Sequence, residues 1–286
     1  MKESTLKRTN RLLAMNNLRA KKQYGQNYLV DDNTIRRIVD QSGVDETVTV
    51  VEIGPGLGSL TQELLQRAQR VIAYEIDESL IPILNKEFAD KKHFTLTHAD
   101  ILKRDIDKDL RSLGINETHT VHVVANLPYY ITTPILTKLL EESDLVSRYT
   151  LMAQYEVARR LTASTNTKDY NALSVLIHYK TNPVFAFKVP RNVFIPPPNV
   201  DSAIITMDVA PPPEVVDEAV FFDFVQNAFK QKRKTLVNNI SKAYTIEKTS
   251  LNDFFKTLGH KPMVRAESLS VNDFVEIVNA FYHYYI

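Results

Sequence analysis

Short apolar runs recur through the first half of the chain, and each stops at a glycine, an acid or an amide. Thr47–Val51, Arg70–Ile76, Phe94–Ala99 and Val121–Ala125 read as strands, and such short, mostly apolar runs suit a sheet covered on both faces. Helical spacing lies between them, over residues 31–43 with Asp31 or Asp32 as the cap and from Ser59 to about Arg67. That alternation predicts an α/β fold with a parallel sheet and helices on both faces. Ile135–Glu142 reads as the next helix, Tyr149–Ala153 as a fifth strand, and Glu156–Leu161 as the start of another helix. The pattern then changes. Leu173–Tyr179, Val184–Val189 and Ser202–Val209 are strand-like without long helices between them, which predicts antiparallel strands at one sheet edge. Ala210-Pro211-Pro212-Pro213 reads as a linker. Beyond it residues 217–286 carry helical spacing at Phe221, Phe224, Val225, Ala228 and Phe229, and Ser268-Leu269-Ser270 precedes a final helix with Phe274, Ile277, Val278 and Phe281.

Four strand ends carry groups suited to nucleotide chemistry. The first strand runs into Glu52-Ile53-Gly54-Pro55-Gly56-Leu57-Gly58, and strand, glycine turn, helix is the context in which a backbone approaches a ligand closely. Its G-x-G-x-G spacing does not meet the G-x-G-x-x-G dinucleotide fingerprint. Glu75 closes the second strand about 20 residues after Gly54, where a carboxylate accepts hydrogen bonds from ribose hydroxyls. Asp100 closes the third and can accept from an adenine amine. The fourth ends in Asn126-Leu127-Pro128-Tyr129. An amide, a proline-stiffened turn and an aromatic ring at the carboxyl end of a parallel strand suit the grip of an exocyclic amine on a base turned out of its stack. A Pro-Tyr turn alone is ordinary; four such strand ends together are hard to explain as turns and caps.

Length and composition narrow the class. A chain of 286 residues suggests about two domains, and 44% apolar with 24% charged residues is ordinary for a globular protein. The absence of cysteine excludes disulfide frameworks, thiolate metal sites and thiol nucleophiles, and fits a reducing cytosol. No run approaches a membrane span and the N-terminus lacks a signal peptide's apolar core, so neither a membrane nor a metal partner is expected. His98 and His122 lie on strands and read as satisfied residues rather than ligands. Net charge is +1, yet residues 1–22 hold Lys2, Lys7, Arg8, Arg11, Arg19, Lys21 and Lys22 against Glu3 alone. Lys230, Lys232, Arg233 and Lys234 form a second cluster in a helix-like stretch. Such clusters are ordinarily solvated faces; beside a base-gripping tetrapeptide they read as tracks for phosphates.

These stretches resemble the small-subunit (16S) ribosomal RNA adenine N(6)-dimethyltransferases of the KsgA/RsmA type, over nearly all of residues 21–281. The resemblance rests on Tyr24-Gly25-Gln26-Asn27-Tyr28-Leu29, Glu52–Gly58, Glu75-Ile76-Asp77, Asn126–Tyr129, Phe194–Ala203, 233–239 and 265–270 in that order. It implies a Rossmann-like class I S-adenosylmethionine-dependent methyltransferase: a mostly parallel seven-stranded sheet with an antiparallel edge hairpin, plus a small helical domain. Expected boundaries are a 1–20 extension, a 21–210 catalytic domain and a 211–286 RNA-binding domain. The resemblance implies that Gly54 and Gly56 line the cofactor's methionine portion, Glu75 holds its ribose, Asp100 its adenine amine, and Asn27 and Leu29 close over it. It further implies that Phe194 flanks the target adenine opposite Tyr129, although from its own stretch Phe194 reads as a core residue beside a polyproline connector. Lys21, Lys22, Lys232, Arg233 and Lys234 are the expected RNA contacts, on a pre-30S particle, with the enzyme monomeric and cytoplasmic. Tyr155, Arg160 and Asn171 depart from the family's common lysine, acid and glycine.

The expected chemistry needs no general base. The Asn126 side-chain oxygen and the Leu127 carbonyl accept the two amine hydrogens and localise its lone pair, with Pro128 stiffening the turn. Three rival readings remain: a large-subunit rRNA or DNA adenine methyltransferase, a non-enzymatic ribosome assembly factor, and a nicotinamide oxidoreductase, against which the glycine spacing argues.

Overall fold

The computed structural model describes residues 3–286, apart from the side chain of Lys22. It divides into two compact units, one of residues 1–158 and 184–209, the other of 159–183 and 210–286.

The first unit begins with α1 (Thr5–Met15), β1 (Tyr28–Leu29) and α2 (Asp32–Ser42), whose cap is Asp31, accepting from the Thr34 amide. There follow β2 (Val48–Ile53), α3 (Ser59–Leu64), β3 (Arg70–Glu75), α4 (Ile81–Glu87), β4 (Phe94–His98), α5 (Ile106–Ser112), β5 (Thr120–Asn126), α6 (Thr132–Glu142) and β6 (Val146–Gln154). After α7 (Tyr155–Leu161) and α8 (Ala172–Lys180) come β7 (Thr181–Val189), β8 (Phe194–Ile195) and β9 (Ser202–Val209). The main sheet has seven strands in the order β4-β3-β2-β5-β6-β9-β7; β4 to β6 pair in parallel and β9 runs antiparallel to β6. The expected mostly parallel seven-stranded sheet with an antiparallel edge is what forms. The order reverses between β2 and β5, so the crevice beyond their carboxyl ends is the place where an open α/β sheet receives a ligand.

Of the expected 1–20 extension, the described residues 3–20 are part of this unit. Leu12 of α1 is buried in its core, and the buried Arg8 guanidinium donates to the Leu57 carbonyl (2.8 Å) and to Glu87 (3.0 Å). Among the described residues no helix is long and apolar enough to cross a membrane.

The second unit contains α9 (Glu218–Ala228), α10 (Leu236–Tyr244), α11 (Lys248–Thr257) and α12 (Val271–Tyr285), around a core rich in phenylalanine. Two expectations are corrected here. Leu173–Tyr179 is a helix, not a strand, because Asn171 and Ser174 form a reciprocal capping box that starts α8 and outweighs the β-branched residues behind it. Residues 159–183 belong with the helical unit rather than with 21–210, because Tyr170, Val175 and Tyr179 bury against Phe221 and its neighbours. Asn171, noted only as a departure from glycine, is the residue that caps this helix.

Candidate active site

Strand register assembles the site. Ile53 pairs with Ala125 on one side and with Tyr74 on the other, so Gly54, Asn126 and Glu75 leave three adjacent strands side by side. Gly54, at φ +68, turns its amide onto the Tyr74 carbonyl (2.9 Å). A Cβ built on Gly54 meets nothing within 4 Å, so the loop faces open space there. A cavity opens behind it, with about 830 Å³ of free space that runs out into solvent. Asn27, Leu29, Gly54, Gly56, Glu75, Asn126, Leu127, Pro128 and Tyr129 all line it.

Glu75 is 4% exposed and its carboxylate accepts the Asp77 amide (2.8 Å) and the Gly56 amide (3.2 Å). Burial pushes its pKa up, and those two amides hold it partly down. A carboxylate so held keeps lone pairs for further donors. Glu52 was missed as a site residue. It is 1% exposed, lines the same cavity, and its Oε2 has no hydrogen-bond partner. Burial, with the Glu75 charge adding to it, pushes its pKa up to about 8. The sequence reading ended the strand at Val51 and set Glu52 at the start of the glycine loop; β2 in fact runs on to Ile53 and buries the acid.

Residues 21–29 form a strap along one wall. The Lys21 ammonium reaches Asp77 at 2.6 Å and Ser79 at 2.9 Å, and the Gln26 amide reaches the other Asp77 oxygen at 2.7 Å. Burial alone would raise the Asp77 carboxyl, but these donors hold it below its ordinary value. Lys21 is therefore a latch rather than a free phosphate contact, while the side chain of Lys22 lies outside the described residues. The strap also orients the key amide: the Asn126 side-chain nitrogen faces the Asn27 carbonyl at 3.4 Å. The reverse orientation would set oxygen against oxygen, so Oδ1 is the atom left for a ligand. The Tyr129 ring is half-buried and its hydroxyl shares a hydrogen bond of 2.6 Å with Ser202.

Two expected residues are not on the cavity wall. Asp100 stands at the end of β4, where its side chain accepts the Leu102 amide (3.0 Å). Phe194 is 3% exposed; β8 pairs with β1, Phe194 opposite Leu29, and that pairing seats it in the core with Leu29, Val189 and Ile204. It braces the strap from behind rather than facing the cavity. In the other unit Lys230, Lys232, Arg233 and Lys234 are exposed on a turn between α9 and α10 rather than on a helix, and Lys232 donates to the Lys168 carbonyl. His122 is buried on β5 with its Nδ1 unpartnered, so it is a core histidine that is not fully satisfied.

A glycine cradle, a buried acid at the next strand end and an amide-proline-tyrosine turn at a topological switch point make a site for a nucleoside-type ligand on an open α/β sheet. A family model described as ribosomal RNA adenine dimethylase matches residues 17–282. Ribosomal RNA small subunit methyltransferase A of Bacillus mycoides is 45% identical over 265 residues, 91% of this chain and 90% of that protein. The protein of the same name from Oceanobacillus iheyensis is 40% identical over 285 residues, 98% and 97% of the two chains. Among solved structures, a dimethyladenosine transferase from Plasmodium falciparum matches at a TM-score of 0.76 with 22% identity, over 90% of this chain and 98% of that one. The 23S rRNA methyltransferase ErmE matches at 0.68 with 24% identity, over 89% and 99%. Identities this low speak to the fold alone. The chain belongs to the ribosomal RNA adenine dimethylase family and is an S-adenosylmethionine-dependent rRNA adenine dimethyltransferase.

The residues present fit that cofactor. The space at Gly54 admits a ligand against the backbone, and two buried carboxyls, one with an unpartnered oxygen, suit a cationic nucleoside carrying ribose hydroxyls.

Proposed function

We propose that this enzyme methylates the exocyclic amines of two adjacent adenosines in a hairpin near the 3′ end of small-subunit rRNA. It acts as a monomer on a pre-30S particle in the cytoplasm. The observation that carries the chemistry is Asn126, whose amide nitrogen is taken by Asn27 so that its oxygen is presented beside Gly54 and Tyr129.

S-adenosylmethionine supplies a methyl group on a sulfonium, so the acceptor is the hard partner: its lone pair is delocalised into the adenine ring. Asn126 Oδ1 and the Leu127 carbonyl accept the two amine hydrogens, pulling the nitrogen towards tetrahedral geometry. The same oxygens stabilise the positive charge that grows on nitrogen in the transition state, and the proton of the resulting ammonium leaves to solvent after each transfer. Pro128 stiffens the turn, and stacking on Tyr129 contributes about 1–3 kcal/mol. Glu75 accepts the ribose hydroxyls, Asp100 the adenine amine from the end of β4, and Gly54, Gly56, Asn27 and Leu29 enclose the donor. Arg233 and Lys234, with Lys232, track phosphates from the helical unit.

Single-turnover transfer by Asn126→Ala, with cofactor affinity measured in parallel, tests the mechanism. The rate falls by about 10²–10³ with affinity nearly kept, the usual loss for one such acceptor or donor; transfer at the parent rate removes Asn126 from the chemistry. For the substrate, small subunits, large subunits and duplex DNA are assayed side by side by mass spectrometry. Two methyl masses on each of two neighbouring adenosines of small-subunit rRNA is the expected product.

A further inference from the structure

Near Tyr129 along the chain lies a second groove, lined by Gln154, Tyr155, the acid Glu156, Arg191 and residues 199–201, with about 780 Å³ of free space that runs out into solvent. It shares no lining residue with the site, and the two are linked through the chain. Tyr129 is tied to Ser202, Ser202 pairs with Gln154, and the next residue, Tyr155, donates its amide to the Asp201 carbonyl at 3.0 Å. The groove therefore begins one residue from the hydroxyl that fixes the Tyr129 ring.

Its walls are braced. The half-buried Tyr155 ring meets Phe185 edge-on, with centroids 5.8 Å apart, and the Lys188 ammonium lies 5.4 Å from its centre. Lys188 is paired with Asp201 at 2.7 Å, and Asp201 also accepts the Arg191 amide at 3.0 Å. The exposed Arg191 guanidinium gives one nitrogen to the Asn199 carbonyl at 3.2 Å, which leaves most of its five donors for other acceptors. Val200 stands 44% exposed on the proline-stiffened loop. A held aromatic ring, an exposed apolar side chain and an unspent guanidinium are what a nucleotide needs: one face to stack on, one edge to pack against and one donor fork for its phosphate.

We propose that this groove holds the nucleotide next to the adenosine being methylated, with the neighbouring base on Tyr155 and Val200 and its phosphate on Arg191. The proposal rests on the rRNA reading above and adds a subsite to it. With two adjacent adenosines as substrate, one occupies the mouth while its neighbour occupies the groove. Lys188 places its ammonium over the Tyr155 ring.

The experiment is steady-state methyl transfer to a hairpin RNA with two adjacent adenosines, using the full chain and its cofactor, and the same RNA made abasic on either side of the target. Tyr155→Ala raises the KM for RNA by about tenfold to a hundredfold, the range for one lost stacking contact, with cofactor affinity unchanged. Tyr155→Phe restores the parent KM. One of the two abasic RNAs costs the parent as much as Tyr155→Ala does, and costs Tyr155→Ala nothing more. Val200→Asp, an exposed change that leaves the fold intact, raises the RNA KM in the same direction. Additive losses for Tyr155→Ala and the abasic RNAs, or parent RNA kinetics in Val200→Asp, overturn the subsite. Failure of the rRNA reading itself shows separately, as a parent enzyme that methylates none of these RNAs.

Discussion

Glu52→Gln probes the least expected feature of the site. The parent carboxyl titrates at about 8 in the folded protein and near 4.5 when unfolded. Between those values the folded chain binds a proton that the unfolded chain has released, so stability falls as pH rises through the interval. At about 1.4 kcal/mol per pKa unit, the full interval is worth roughly 5 kcal/mol and the part below pH 7 roughly 3 kcal/mol. Glutamine has the shape of the neutral acid and cannot ionise. Glu52→Gln is therefore expected to match the parent near pH 4.5 and to exceed it at pH 7, by about 6–12 °C in Tm if about 3 kcal/mol acts on a unit of this size. Calorimetric melting without cofactor from pH 4.5 to 8.5 reads the effect directly. Added S-adenosylmethionine narrows the gap, since a cationic ligand in the cavity draws the proton from Glu52 and gives the carboxylate a partner. A Tm difference that stays constant across this pH range would refute the reasoning, because the carboxyl would then ionise in the folded protein as it does in water.

Three further outcomes are expected. Tyr129→Phe keeps the ring but loses the bond to Ser202, a tie worth about 1 kcal/mol, so methyl transfer falls severalfold; Tyr129→Ala falls further because the stacking face goes too. Lys21→Met breaks the latch on Asp77 and loosens the strap, so the cofactor Kd rises severalfold while the single-turnover rate at saturating cofactor holds; an unchanged Kd would show the latch to be dispensable. Gly58→Ala adds a Cβ 2.6 Å from the Phe88 ring at φ +77, and urea melts should show a loss of about 1–3 kcal/mol or more, as for overpacked cores.

The strands of the first half, their parallel pairing and the polar residues at their carboxyl ends were legible in the sequence, because a buried strand must be apolar and must stop where polar groups meet the crevice. That is why pattern could single out Gly54, Glu75 and Asn126, which line one cavity, although the same reasoning named Asp100, which does not line it. Capping chemistry was also written in the chain: Asn171 and Ser174 announce a helix, and only the weight given to Leu173–Tyr179 as a strand hid it. Tertiary structure decided the rest. The strap over residues 21–29 has no periodicity of its own and is held by side chains some fifty positions away, at Asp77 and Ser79. Phe194 is in the core, as its own stretch suggested, and its pairing opposite Leu29 seats it there rather than on the cavity wall that the resemblance implied. Whether Lys21 was free or latched, and whether Glu52 was solvated or buried with one oxygen unpartnered, depended on what the folded chain brought beside them. Charge and burial are properties of neighbours, and for this protein those neighbours lie far apart in sequence.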